Sequence, residues 1–209
     1  MHTVKPKRPR AYRLGRRQER ADETRARLLA AARRALMSRR GPADFNLETV
    51  ARDAGVTRLT VYHQFGSRTA LLEAVYEDLA RRGRIAENLT AALAQPDADA
   101  CLAATLQAFV TFWDAQRPAI RRLRAMAVLD KDFRGASARD QGHLQAMQAV
   151  IERLADPQAR EAGDLQTRAQ ALAMLTSFEA FDLLTTDGTP PEKVLTTLTA
   201  LARTALTLP

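Results

Sequence analysis

The stretch RLTVYHQF, residues 58–65, sets a guanidinium, an aliphatic tip, a hydroxyl, a phenol and an imidazole side by side in Arg58, Leu59, Thr60, Tyr62 and His63. Val61 and Phe65 lie four apart, so on a helix they share one face and can anchor it to neighbouring helices. The other five then point mostly outward. The chemistry such a set supports is recognition. Arg58 can take guanine O6 and N7 as a bidentate pair, and Leu59 can meet a thymine methyl. Thr60, Tyr62 and His63 can donate to phosphates or base edges. Arg68 stands at the start of the next helix, where free backbone N–H groups and a cation together suit a phosphate. On these residues alone a second reading is equally open, with Tyr62 and His63 packed against a neighbouring helix.

Catalytic chemistry finds no comparable set. The histidines, His2, His63 and His143, are scattered, and Cys101 is the only cysteine. No spacing suggests a nucleophile with its base, a metal set or a cofactor loop, so neither enzyme activity, metal nor cofactor is expected. A single cysteine also rules out an intramolecular disulfide. With 209 residues, 46% of them hydrophobic, the chain can bury a sizeable core in one or two domains. Aromatics are scarce while Ala, Leu and Arg abound, which favours helix. No apolar stretch approaches a membrane span, and the polar N-terminus lacks the core of a secretory signal. A reducing, cytoplasmic setting without a membrane partner is the expectation.

Charge is unevenly spread. Residues 1–82 carry 19 Lys and Arg against 9 acids, a balance of +10, and residues 83–209 carry 13 against 15, a balance of −2. The excess over the whole chain, +8, is therefore confined to the N-terminal part. That is the footprint of a nucleic-acid or acidic-membrane binding module joined to a near-neutral domain.

Periodicity then supplies the elements that must position the opening residues. Residues 1–20, with eight Lys and Arg against one acid and two prolines, read as a flexible basic arm. From Ala21 to Arg40, Leu28, Leu29, Ala32, Ala35 and Leu36 recur at helical spacing, and Gly41-Pro42 ends the run. Asn46 is a good N-cap for a short second helix over Leu47 to Ala54. Gly55 suits the left-handed residue that closes it. Thr57 can cap a third helix reaching Phe65, and a fourth runs from Arg68 towards Arg82. Helix, tight turn and helix is the helix-turn-helix arrangement. Further helices are expected near 83–94, 98–115, 118–130, 137–155, 165–186 and 190–207. Turn residues divide them, among them Arg117-Pro118, Gly135, Asp156-Pro157, Gly163-Asp164 and Asp187 to Pro191. The fold class is all-α.

Over residues 24–75, TRARLLAAARRAL…FNLETVARDAGVTRLTVYHQFGSRTALLEAV resembles the N-terminal domain of the tetracycline-repressor (TetR) family of transcriptional regulators. Leu28-Leu29, Ala31-Ala32 and Leu36 carry the likeness in the first helix. Val50-Ala51, Ala54-Gly55-Val56 and Thr57 carry it in the second helix and turn, and Thr60, Tyr62 and Phe65 in the recognition helix. Arg68 and Leu71-Leu72 extend it into the fourth. The resemblance implies an all-helical homodimer, with a DNA-binding domain over 21–82 and a ligand-binding and dimerisation domain over 83–209. It places phosphate contacts on Asn46, Thr60, Tyr62 and Arg68, and base reading on Arg58, Leu59 and His63. Four positions depart from the family's habit. Asn46 replaces Thr, Leu59 a small residue, Val61 a Leu and Arg68 a Lys.

Beyond residue 83 no motif carries the likeness. The large, adaptable side chains of Phe109, Trp113, Met126, Met147 and Phe178 are candidates for lining an effector pocket, and equally for ordinary core. Arg121, Arg122 and Arg124 could meet an acidic ligand or form a solvated face. Helices near 165–186 and 190–207, with Leu172, Leu175, Phe178, Leu195, Leu198 and Leu201, resemble the family's dimerising bundle. The expected function is a regulator, in the repressor sense, released from a palindromic double-stranded operator by a small molecule. The alternative is a DNA-binding protein controlled by a protein partner, or acting architecturally, with no small ligand.

Overall fold

The structure is a computed structural model that describes residues 10–38, 45–129, 135–155 and 165–207. Ten helices and no strand occur among the described residues. They are α1 (Arg10–Leu36), α2 (Leu47–Asp53), α3 (Arg58–Phe65), α4 (Arg68–Arg82), α5 (Ile85–Leu93), α6 (Ala98–Leu129), α7 (Gly135–Leu154), α8 (Leu165–Leu175), α9 (Phe178–Leu184) and α10 (Pro191–Thr207). The chain is all-helical, as the periodicity predicts. It divides into two compact units, Met1–Val75 and Tyr76–Pro209, with the division falling inside α4.

In the first unit, α1 packs on α2 and α2 on α3. Leu28, Ala31, Ala32 and Leu36 from α1 meet a core that also holds Val50, Ala51, Val61, Leu71, Leu72 and Val75, all buried. α1 begins at Arg10, so residues 10–20 are helical rather than part of a flexible arm. After Pro9 the segment contains no further proline, and its Arg, Leu, Gln and Glu residues are good helix formers that extend an existing helix at little cost. Residues 1–9 of the expected arm lie outside the described residues, as do the breaks at Gly41-Pro42, Asp156-Pro157 and Gly163-Asp164. α1 closes at Leu36, earlier than the expected Arg40.

In the second unit α6 is the central element. α5, α7, α9 and α10 all pack on it, while α8 packs on α7 and α10. Two expected boundaries are corrected here. Pro118 lies inside α6 and does not end it. Proline costs one backbone hydrogen bond, but the residues on either side hold the helix. Trp113, Ile120 and Leu123 are buried in the core, and Arg117 Nε donates to Asp182 Oδ1 at 2.7 Å. Conversely, the segment 165–186 is two helices, broken at Thr176-Ser177 with no glycine or proline to mark it. Ser177 is extended, and its hydroxyl accepts from the Ala180 N–H at 3.1 Å, so it caps α9. The Thr176 carbonyl accepts from Trp113 Nε1 at 2.8 Å. A tertiary donor thus holds the carbonyl on which α8 stops.

The turn from α4 to α5 explains why α5 starts at Ile85 and not at Gly83. Gly83 lies against Phe112, and a Cβ there would sit 2.4 Å from the buried ring. Arg84 follows in the left-handed conformation at φ 53°. The close approach of backbone to ring fixes a glycine and a tight turn where periodicity alone continues a helix.

Arg117 and Arg121 converge on Asp182, each donating through Nε at 2.7 Å. Arg124 pairs with Glu179 at 3.2 Å. Arg121 and Arg124, both considered for an acidic ligand, are thus engaged within the chain. Burial pushes the Asp182 carboxyl up, but the hydrogen bonds from Arg121 and Arg117 outweigh it and hold the carboxyl below its ordinary value. The stability this adds is fully present above the unfolded pKa of about 3.9 and is lost as pH falls through the lower folded value. Asp182→Asn should therefore cost about 1–2 kcal/mol at pH 7. In urea titrations the gap from wild type should shrink between pH 4 and pH 2. An unchanged gap at low pH would assign the loss to packing instead.

Candidate nucleic-acid interface

The interface is built from its caps upward. Asn46 stands in extended backbone, and its Oδ1 accepts from the Thr49 N–H at 2.8 Å. α2 closes through a paired set of bonds, Val56 N–H to the Ala51 carbonyl at 3.0 Å and Gly55 N–H to the Arg52 carbonyl at 3.1 Å. This closure needs a left-handed residue, and Gly55 supplies it at φ 67°. Thr57 then caps α3, its Oγ1 accepting from the Thr60 N–H at 3.2 Å. Caps and turn together set the angle at which α3 leaves α2.

α3 is anchored on one side only. Val61 is 1% exposed. Phe65 is half-buried, with the Arg25 guanidinium 4.5 Å from its ring centroid. Arg25 also donates from Nη1 to the Gln64 carbonyl at 3.4 Å, tying α1 to the end of α3. Across the helix, Leu59 is 64% and Tyr62 41% exposed. Arg58 and His63 are exposed too, and Thr60 is half-buried. A large aliphatic and a large aromatic left in water on one short helix carry a cost that a binding partner removes. α3 contains no acid, so nothing on it repels phosphate.

Several of the expected contact groups already have partners within the chain. The Thr60 hydroxyl lies 2.9 Å from that of Thr57. Arg68 Nε donates to the Phe45 carbonyl at 3.3 Å, with the guanidinium 5.8 Å from the Phe45 ring centroid. Arg68 therefore stands at the start of α4 tied back to Phe45. Arg58 Nη2 donates to the Tyr62 phenol oxygen at 3.1 Å. That hydrogen bond raises the Arg58 pKa above its already high value, so Arg58 is a cation at any working pH. Sequence reasoning missed Arg25 and Ser67. The Ser67 hydroxyl accepts from the Ala70 N–H at 3.0 Å and caps α4. The signal for Ser67 was present, a serine after glycine at a helix start. None existed for Arg25, whose partners lie 39 and 40 positions away.

The family profile described as "Bacterial regulatory proteins, tetR family" matches residues 28–75, from α1 through the helix-turn-helix into α4. Over these residues the chain carries the DNA-binding domain of the TetR family. Members of that family are DNA-binding transcriptional regulators and not enzymes. Among solved structures, a TetR-like transcriptional regulator from Rhodococcus sp. RHA1 is 18% identical, with a TM-score of 0.63 over 88% of this chain and 95% of that one. NalD from Pseudomonas aeruginosa, described as the secondary repressor of the MexAB-OprM multidrug efflux pump, is 21% identical, with a TM-score of 0.63 over 88% and 96%. The multidrug binding protein EbrR, solved with imidazole, is 24% identical, with a TM-score of 0.60 over 86% and 89%. At these identities the likeness is one of fold, and it covers residues of both units. No curated protein matches the chain significantly.

The five residues considered for an effector site share the core of the second unit. Phe109, Trp113, Met126, Met147 and Phe178 are all buried. Trp113 lies 6.1 Å from Phe109 and 5.5 Å from Phe178, centroid to centroid. Phe109 is also 4.7 Å from the His143 ring. His143 Nε2 lies 2.8 Å from the Thr176 hydroxyl, so the aromatic cluster contains a polar node of Trp113, His143 and Thr176. Two surface hollows, of about 280 and 270 Å³, lie elsewhere on the unit. Asn88, Gln95, Gln107 and Thr111 edge the first, and Thr111, Asp114, Glu192 and Leu195 the second. None of the five lines either. No group of His, Cys, Asp or Glu among the described residues could hold a metal, and no described helix is long and apolar enough to cross a membrane. Cys101 is buried, and burial pushes its thiol up, away from the reactive thiolate.

Proposed function

We propose that this regulator is a homodimeric repressor that holds an inverted-repeat operator and is released by a small-molecule effector. The observation that carries the DNA part is the exposed, acid-free face of α3, where Arg58, Leu59, Tyr62 and His63 stand together. In this reading Arg58, Leu59 and His63 meet base edges, while Asn46, Thr60, Tyr62 and Arg68 meet phosphates. Dimerisation through α8–α10 is supported by Met174, Leu183 and Leu201, large apolar side chains left exposed there. Leu172, Phe178 and Leu198 are spent in the chain's own core and do not contribute. Effector control is supported by the aromatic cluster with its polar node, a combination that suits an amphipathic organic molecule. The fold it shares with NalD, a repressor, and with EbrR, a multidrug binding protein, points the same way. Ligand binding would favour a dimer whose two recognition helices no longer match the groove spacing. The tight burial of the five core residues favours a second reading, control by a protein partner.

Selection of bound duplexes from a random pool tests the proposal directly. Two half-sites related by a two-fold axis are the expected product, because a two-fold dimer presents two identical helices. Recovery of a single, non-palindromic half-site bound by one protomer would overturn it.

A further inference from the structure

We propose that Tyr62 is a positioning residue for Arg58, holding its guanidinium in one orientation on the exposed face of α3 and so setting which base pair Arg58 reads. The inference rests on the assignment of α3 as the base-reading element. Its basis is the contact between the two side chains, one helical turn apart. Arg58 Nη2 donates to the Tyr62 phenol oxygen at 3.1 Å. The guanidinium carbon lies 5.4 Å from the centre of the Tyr62 ring. Both residues are otherwise exposed.

A long arginine free in water samples many rotamers, and bidentate readout of a guanine requires it to surrender most of them. Tyrosine has two side-chain torsions and is held on a helix, so it is the stiffer partner. Holding the arginine against it before DNA arrives removes part of that ordering cost. A guanidinium carries five N–H donors, so a bond to the phenol leaves four and a usable fork. The phenol oxygen accepts from Arg58, which leaves its own proton free to donate outward. Arg58 N–H to Tyr62 O–H to a phosphate is then a chain in which each bond strengthens the next. In this arrangement Tyr62 ties the register set by the DNA backbone to the base that Arg58 reads. The raised Arg58 pKa has the same hydrogen bond as its main cause.

The test uses the full chain and the duplex recovered by selection, with variants of that duplex changed at one base pair each. Affinities are measured for wild type, Arg58→Ala, Tyr62→Phe and the double variant. Phenylalanine keeps the ring and removes only the phenol oxygen, and thermal unfolding of Tyr62→Phe should match wild type. The expected result is that Tyr62→Phe loses about tenfold in discrimination at the base pair whose preference Arg58→Ala abolishes. Other positions keep their preferences, and the double variant discriminates no worse at that pair than Arg58→Ala alone. If Tyr62→Phe weakens every duplex by one factor and leaves that preference intact, Tyr62 is a phosphate contact only. The positioning role then falls while the assignment of α3 stands. If wild type recovers no preferred duplex at all, both fall together.

Discussion

Arg58→Ala is expected to lose roughly 10- to 100-fold in discrimination at one base pair of each half-site. Arg58 is the residue on α3 best suited to bidentate readout, since guanine offers O6 and N7 side by side and the guanidinium offers two parallel N–H groups. It is exposed and lies outside the core that Val61 anchors, so its loss should leave folding untouched. The effect is confined to one position because alanine removes the reader but not the docking. Thr60→Ala should behave differently, weakening all duplexes by a similar factor, since a phosphate contact carries no sequence information. Competition titrations of both variants against a panel of single-base-pair changes separate the two patterns. An Arg58→Ala protein that keeps every base preference would mean that α3 is read through another side chain.

Trp113→Phe is expected to destabilise the second unit by about 1–3 kcal/mol. The indole N–H donates to the Thr176 carbonyl at 2.8 Å, and both residues are buried. Phenylalanine can keep the ring contacts but leaves that carbonyl without the indole donor. Trp113→Ala should cost about 3–5 kcal/mol, because the ring contacts go as well and a cavity remains. Denaturant titrations of the two variants check both numbers. The same residue reports on effector control. Trp113 is the chain's only tryptophan, so its emission comes from this cluster alone. A compound that enters the cluster should shift or quench that emission saturably and release operator DNA over the same concentration range. Coupling of about 1–3 kcal/mol must be reciprocal, so operator DNA should weaken the compound's binding by the same factor. Calorimetry should show weaker binding of the compound to Trp113→Phe, with operator affinity nearly unchanged. A compound that releases DNA, leaves Trp113 emission unaltered and binds the phenylalanine variant equally well would place the effector site elsewhere.

Much of the first unit was legible in the residues themselves. Asn46 and Thr57 cap helices whose partners, Thr49 and Thr60, stand three positions on. Gly55 closes α2 through bonds reaching no further than Ala51. Such features are satisfied within a turn of chain, so the local order of residues determines them. The exposure of Leu59 and Tyr62 follows from the single buried anchor, Val61, and from helical spacing. The contact of Arg58 with Tyr62 was within reach of the same reasoning, being one turn apart on a single helix.

The remaining features were decided by residues far apart in the chain. Pro118 reads as a break, yet α6 runs through it because its neighbours are buried or tied to Asp182, 65 positions from Arg117. Thr176-Ser177 reads as mid-helix, yet the helix parts there, where a tryptophan 63 positions earlier holds the carbonyl. Gly83 must be glycine because the Phe112 ring lies against it. Local propensity amounts to about 1 kcal/mol for most residues and about 3 kcal/mol for a proline, which several buried contacts acting together can outweigh. The helical class, the capped helix-turn-helix and the chemistry of its outward face follow from residues within a turn or two of one another. Where the C-terminal helices break, and which of their large side chains are core, depends instead on which distant groups arrive to satisfy or crowd them.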